Sequence, residues 1–343
     1  MAPMSVTDQF PVEQVLSPAP PHCTDGAKVE IITSREVPLG GPRAMTVYRT
    51  LPQRQRSLIG AWCFVDHYGP DDVSATGGMD VAPHPHTGLQ TVSWLFEGTV
   101  THHDSGGQHA VVLPGEVNLM TAGAGICHSE VSTQDTTTLH GVQLWTVLPD
   151  ADRHGPRRFD HHAPDPVLFD GGSALVFLGS LLGYTSPVRT FSPLVGAELR
   201  IEPGALLEVE VDPSFEHGLL VDAGDVDLEG VAVAPTELAY TGTGETVLRI
   251  RNNGRTPARM LLIGGEPFDE EIVMWWNFIG RDHAEIEQYR TEWQEQDERF
   301  GTTRGYIGKD PQGPTWLPAP ALPHAAIRPR KNPAPVARPE ERI

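Results

Sequence analysis

The stretch Val81–Ser132, VAPHPHTGLQTVSWLFEGTVTHHDSGGQHAVVLPGEVNLMTAGAGICHSEVS, carries the pattern on which both fold and chemistry turn. Its apolar runs are short, as in Thr91-Val92-Ser93-Trp94-Leu95-Phe96 and Val117-Asn118-Leu119-Met120, and Gly106-Gly107 and Pro114-Gly115 punctuate them. Short β-prone runs at this spacing predict an antiparallel sandwich or barrel. His84 and His86 stand two apart, so on a strand both imidazoles project from one face. His128 and Glu130 repeat that arrangement further on. If the two strands meet inside a barrel, three imidazoles and one carboxylate converge. Such a donor set suits a divalent transition metal and leaves positions open on an octahedral ion. One HxH alone is a weak signal; the second pair, placed after a Pro-Gly turn and a short strand, makes it specific.

Outward from this stretch, the β-like pattern runs from Lys28 to Pro149, so residues 28–150 read as one strand-rich unit. A polar segment, Asp150–Gly172, has little periodicity and is expected to be a linker. A second strand-rich block occupies residues 173–267, with apolar runs at Leu175–Leu182, Leu206–Val211 and Ala258–Ile263. Two blocks of similar length and turn style predict tandem β-domains, although no residue-level repeat relates them. Residues 268–343 differ in character. Ile286, Tyr289, Trp293 and Phe300 recur at helical spacing in a Glu- and Gln-rich run, which predicts an amphipathic helix over about 281–299. Nine prolines between Phe300 and Ile343 deny that tail a core of its own. It is expected to be disordered or laid in extended form over the β-domains, with Trp316-Leu317 as a docking point.

The 343 residues carry Lys+Arg 25 against Asp+Glu 45, a formal charge of −20. That balance argues against direct contact with nucleic acid or an anionic membrane, both of which need basic surface. No apolar run reaches the ~18 residues of a membrane-spanning helix. The amino terminus lacks the basic and apolar regions of a signal peptide, so a cytoplasmic location is expected. Cys23, Cys63 and Cys127 are too few and too scattered for a disulfide framework or a cysteine-based zinc site. Cys127 should face away from His128 as a buried structural thiol.

The motifs of Val81–Ser132 resemble the metal-binding half of the pirins, a family of bicupins. The resemblance rests on His84-Pro85-His86, Gly88, Thr91, Glu97-Gly98, His102, Asp104-Ser105, Pro114-Gly115, Met120-Thr121-Ala122-Gly123 and His128-Ser129-Glu130. Upstream, Asp66-His67-Tyr68-Gly69-Pro70 is similar to a further family motif, and Gln143-Leu144-Trp145 to the exit from its first cupin. The extension beyond residue 267 resembles a longer bacterial subgroup. The resemblance implies an all-β fold of two tandem jelly-roll cupin barrels plus a C-terminal helix and extended tail. It also implies that His84, His86, His128 and Glu130 hold one metal. Iron is the usual ion, with Mn, Ni, Cu or Zn as alternatives. The second cupin, which offers only His217, is then metal-free.

Two departures bear on the pocket. Thr87 stands where many pirins have Arg, and Gln90 where they have Glu. Gln90 occupies the spacing at which ordinary cupins place a ligating carboxylate. A neutral amide is the weaker ligand, so the carboxylate role falls to Glu130. Of the other polar residues, Asp66 and His67 are expected to form a structural turn. His102 is a candidate to support the ligands, and His154, His161 and His162 are expected to be solvated.

Two functions follow from the resemblance. One is an oxygenase of the quercetin 2,3-dioxygenase kind acting on a flavonol-like molecule, with Glu130 as general base. The other is a non-enzymatic redox regulator that binds a protein partner, either as a transcriptional cofactor or as a modulator of a metabolic enzyme. A monomer is expected in either case.

Overall fold

The computed structural model describes residues 29–39 and 45–338. The amino-terminal segment with Cys23 and the last residues, 339–343, lie outside the described residues, as do the expectations that concern them. Two β-barrels of the cupin type stand side by side, each made of a seven-stranded and a four-stranded antiparallel sheet. In the first barrel the larger sheet runs in the order Arg158–His162, Val117–Thr121, Leu89–Glu97, Thr138–Val147, Trp62–Asp72, Met45–Leu51, Arg35–Leu39. The smaller sheet runs Asp80–His86, Ile126–Ser132, Val100–Asp104, His109–Val112.

The second barrel repeats the arrangement. Its larger sheet is Glu30–Ile32, Leu238–Thr241, Glu216–Ala223, Ala258–Gly265, Leu194–Ile201, Gly172–Leu178, Val167–Phe169. Its smaller sheet contains Leu206–Glu210, Val247–Asn252, Val226–Leu228 and Val231–Val233. Leu207 and Val209 are buried between exposed neighbours, the period-two alternation of a strand with one wet face. Leu89–Glu97 behaves differently: every residue but Glu97 is buried. One of its faces serves the first barrel, while on the other Trp94 packs against Phe177, with ring centroids 4.7 Å apart. The Trp94 indole also donates to Glu198 Oε2 at 2.8 Å. The junction between barrels is therefore core, not surface.

Three expectations change. The first strand, Glu30–Ile32, pairs with Leu238–Thr241, so it completes the second barrel although it precedes the first in sequence. The segment 150–172 is no free linker: Arg158–His162 pairs with Val117–Thr121 and Val167–Phe169 with Gly172–Leu178. Pairing on one sheet edge needs little apolar periodicity, which is why the sequence conceals these strands. Asp66 and His67 belong to the strand Trp62–Asp72 and form no turn; Arg49 grips Asp66 in a buried two-pronged ion pair at 2.7 Å.

Beyond residue 267 a hairpin, Val273–Trp275 and Phe278–Gly280, leads into the helix His283–Gln294. Asp282 caps that helix by accepting from the Glu285 amide. Ile286, Tyr289 and Trp293 are its buried face, as their spacing predicts. The helix is shorter than expected, because Glu295 caps it and Gln296 turns left-handed at φ 56°. The tail then crosses the first barrel in extended form. Leu317 is buried, and its amide donates to Pro83 O at 2.8 Å.

Candidate metal centre

Strands Asp80–His86 and Ile126–Ser132 are neighbours in the smaller sheet of the first barrel, with His128 in register with His84. Antiparallel pairing of two i, i+2 motifs brings their side chains to one face. The ligand atoms of His84, His86 and His128 all lie within 4.8 Å of one another. His86 Nε2 is 3.0 Å from His128 Nε2. A bulge between His128 and Glu130 shifts the register there, and Glu130 lies opposite His102 on the far-side strand. Glu130 forms a second group of ligand atoms within 4.8 Å with His102 and His128. The structure thus assembles the three expected imidazoles as one set. Glu130 stands in an adjoining set that shares His128.

Hydrogen bonds fix the rings. His84 Nδ1 lies 2.9 Å from Ala82 O, which holds the proton on Nδ1 and leaves the Nε2 lone pair free. His102, held at 3.2 Å by Asp104, sits with its Nδ1 3.3 Å from His128 Nδ1, behind the ring. Trp145 meets the His86 ring edge-on at 5.1 Å. Ser93 Oγ donates toward Glu130 Oε1 at 3.1 Å.

Burial decides the electrostatics. It pushes the His84 pKa down to about 4, against the pull of the Ala82 carbonyl. His86 and His128 are held well below the ordinary histidine value, first by burial and then by their histidine neighbours. Burial raises Glu130 above the usual carboxylate range, against His102 and Ser93. Three uncharged imidazoles therefore face one another near pH 7. Two nitrogen atoms 3.0 Å apart on neutral rings share at most one proton, so lone pairs converge on a common point. That is the donor arrangement a divalent transition metal fits.

Gln90 does not contribute. Its amide donates to Thr121 Oγ1 at 2.9 Å and accepts from Thr146 Oγ1 at 3.2 Å. Side chains alternate along a strand, so Gln90 lies on the opposite face from Ser93, the residue that reaches Glu130. Cys127 is buried and points away from the histidines, with Sγ 2.8 Å from Thr303 Oγ1. His161 and His162 are not simply solvated: they lie 3.1 Å from Asn118 Oδ1 and 2.8 Å from the Tyr184 hydroxyl. His154 is exposed. In the second barrel the core is aliphatic, built from residues such as Val176, Leu199, Leu219, Ile250 and Met260. His217 is buried on the strand face that also carries Leu219 and Val221, beside a cavity of about 160 Å³ lined by Val195, Glu210 and Asp212 among others, and burial pushes its pKa down to about 4.

Sequence reasoning missed a second buried cluster of potential ligands, His67, His140 and Asp222, because its members come from both barrels. It also missed Asn277, whose one sequence signal is a polar residue inside the aromatic run Trp275-Trp276-Asn277-Phe278.

A tandem cupin with a three-histidine cluster in its first barrel and an aliphatic second barrel defines a class, the metal-site bicupins. The pirin family matches residues 44–146, and the pirin C-terminal cupin domain matches residues 196–301. A Pseudomonas aeruginosa protein provisionally named a quercetin 2,3-dioxygenase is 45% identical over 79% of this chain and 85% of its own length. A pirin-like protein of Caulobacter vibrioides is 35% identical over 72% of this chain and 87% of its own. The crystal structure of a quercetin 2,3-dioxygenase from Acinetobacter baumannii superimposes with a TM-score of 0.81 at 38% identity, covering 88% of this chain and 97% of that one. The chain belongs to the pirin family. Among the described residues, no helix is long and apolar enough to cross a membrane.

Proposed function

We propose that this pirin is an oxygenase of the quercetin 2,3-dioxygenase type that holds one divalent metal, iron in the first instance, through His84, His86, His128 and Glu130. The observation that carries the reading is the convergence of three buried imidazoles within 4.8 Å, beside a buried carboxylate. The relatives named as quercetin dioxygenases support the substrate class, a flavonol. A metal bound there would supply Lewis acidity and the capacity to engage dioxygen.

The chain's own residues bind, orient and move a proton. Four protein donors leave coordination positions for a ligand that chelates through adjacent oxygens. Glu130 is the group that can take the hydroxyl proton of such a ligand. Ser93 steadies one of its oxygens, leaving the other to act. His102 and Asp104 back the His128 ring and keep its orientation. The aromatic segment around Trp275 and the extended tail keep bulk water from this end of the barrel, since Trp276, Phe278 and Leu317 are all buried.

The test is anaerobic loading with Fe(II) followed by oxygen uptake with a panel of flavonols. Turnover that depends on the bound metal supports the reading. A fully loaded protein inert to every flavonol overturns it and favours a redox regulator that acts through a protein partner.

A further inference from the structure

We propose that Asn277 orients the ligand at the metal centre, its carboxamide hydrogen-bonding the oxygens of a planar chelating ligand of the 3-hydroxy-4-keto type. The assignment rests on the oxygenase reading and adds to it a residue from outside both barrels. Asn277 is fully buried, at 0% exposure, and neither its Nδ2 nor its Oδ1 has a hydrogen-bond partner among the described residues. Buried amides are normally bonded, and an orphaned one is costly to keep. Asn252 shows the ordinary case. It is equally buried, yet its amide donates to Ile201 O and Thr256 O while its oxygen accepts from Gly254 N.

Position gives the orphan its meaning. Thr87 and Phe278 form a parallel bridge, and the Ile279 amide donates to Thr87 O at 3.1 Å. This sets Asn277 alongside His86, and the Asn277 backbone carbonyl lies against the His86 ring. The approach depends on Gly88, at φ +68°, where a Cβ would stand 2.5 Å from Ile279 O. Phe278 is fully buried and packs toward the helix, with its ring 6.0 Å from Tyr289 and 5.8 Å from Phe300. Asn277 is the second residue of the tight turn Trp276-Asn277 that joins Val273–Trp275 to Phe278–Gly280, and its contact with the His86 ring puts the unpartnered carboxamide at the edge of the three-histidine cluster. A carboxamide offers both donors and an acceptor. It matches a ligand whose hydroxyl and carbonyl oxygens sit side by side.

The experiment compares full-length wild type with Asn277→Leu, both loaded with redox-inert Zn(II) and titrated with quercetin by absorbance. Leu keeps the shape and removes both unpaired polar atoms. The expected result is unchanged zinc content, a metal-free Tm equal to or above wild type, and quercetin affinity weakened at least about tenfold. If wild type binds quercetin and the variant binds it equally well, the role of Asn277 is overturned and the oxygenase reading stands. A lower Tm or lost zinc in the variant assigns Asn277 to structure or to metal retention and also overturns the proposal. If zinc-loaded wild type binds no quercetin, the flavonol reading fails and takes the proposal with it. Asn277→Ala, read the same way, replaces Asn277→Leu should the larger side chain prevent folding.

Discussion

His140 Nε2 lies 2.5 Å from Asp222 Oδ1, a buried hydrogen bond that joins the first barrel to the second. His67 reaches the same oxygen at 2.6 Å, and Arg259 donates to the other at 2.7 Å while its guanidinium lies over the Phe96 ring. Burial pushes the Asp222 carboxyl upward, but the bonds from His140 and His67, with the charge of Arg259, outweigh it and hold the pKa well below the usual range.

A carboxyl depressed in the folded state stabilises the fold above its unfolded value of ~3.9, and that stabilisation is lost as pH falls through the folded value. Asp222→Ala should therefore cost about 3–5 kcal/mol at pH 7, the range for breaking a buried ion pair. Urea denaturation of wild type and variant checks this. The gap between them should narrow below about pH 4, and a gap that holds constant from pH 7 to pH 3 would show that the carboxylate charge is not what matters.

The second prediction is one metal per chain. Elemental analysis of purified protein should find one ion in wild type and none in the double variant His84→Ala, His128→Ala. Metal at a hundredfold excess over its Kd should stabilise wild type by about 2.7 kcal/mol, read as a rise in Tm, and leave the double variant unmoved. Two ions per chain in wild type would point to the His67–His140–Asp222 cluster or to His217 as a further site.

Glu130→Gln tests the general base. The change keeps size and an oxygen donor but removes the group that accepts a proton. With three imidazoles still present, iron content should fall less than turnover, which should drop ~10²–10⁴-fold. Iron content and oxygen uptake are measured on the same samples. A remetallated variant with wild-type turnover removes Glu130 from proton transfer.

Ending the chain at Arg304 should spare the metal and weaken the fold. Every expected ligand precedes residue 131, but the removed segment ties down both the helix and the strand of His84. Tyr306 donates to Asp80 at 2.9 Å, and the Trp293 indole donates to Leu317 O at 2.8 Å. Burial of Leu317 alone is worth about 1.5–3 kcal/mol. Thermal unfolding with metal analysis checks both halves. Loss of metal from a truncated protein that stays folded would mean the tail helps hold the site.

The strand-rich character, the helix face Ile286-Tyr289-Trp293 and the grouping of His84, His86 and His128 are legible in the residue order alone. Each depends on local periodicity: two residues along a strand or 3.6 along a helix place side chains on one face, whatever the rest of the chain does. Gln90 lacks the charge of a ligating carboxylate, and the tertiary structure adds that Thr121 and Thr146 occupy its amide. Register and long-range pairing were decided only by the folded structure. The bulge after His128 turns Glu130 toward His102, and nothing in HSE announces a bulge. Glu30–Ile32 crosses to the second barrel because the open edge at Leu238–Thr241 accepts any short extended strand. His140 stands 82 residues from Asp222, and the bridge that brings the Asn277 turn to the first barrel, Thr87 to Phe278, spans 278 − 87 = 191. Such contacts follow from how two barrels and a hairpin pack, and no spacing within one segment encodes them.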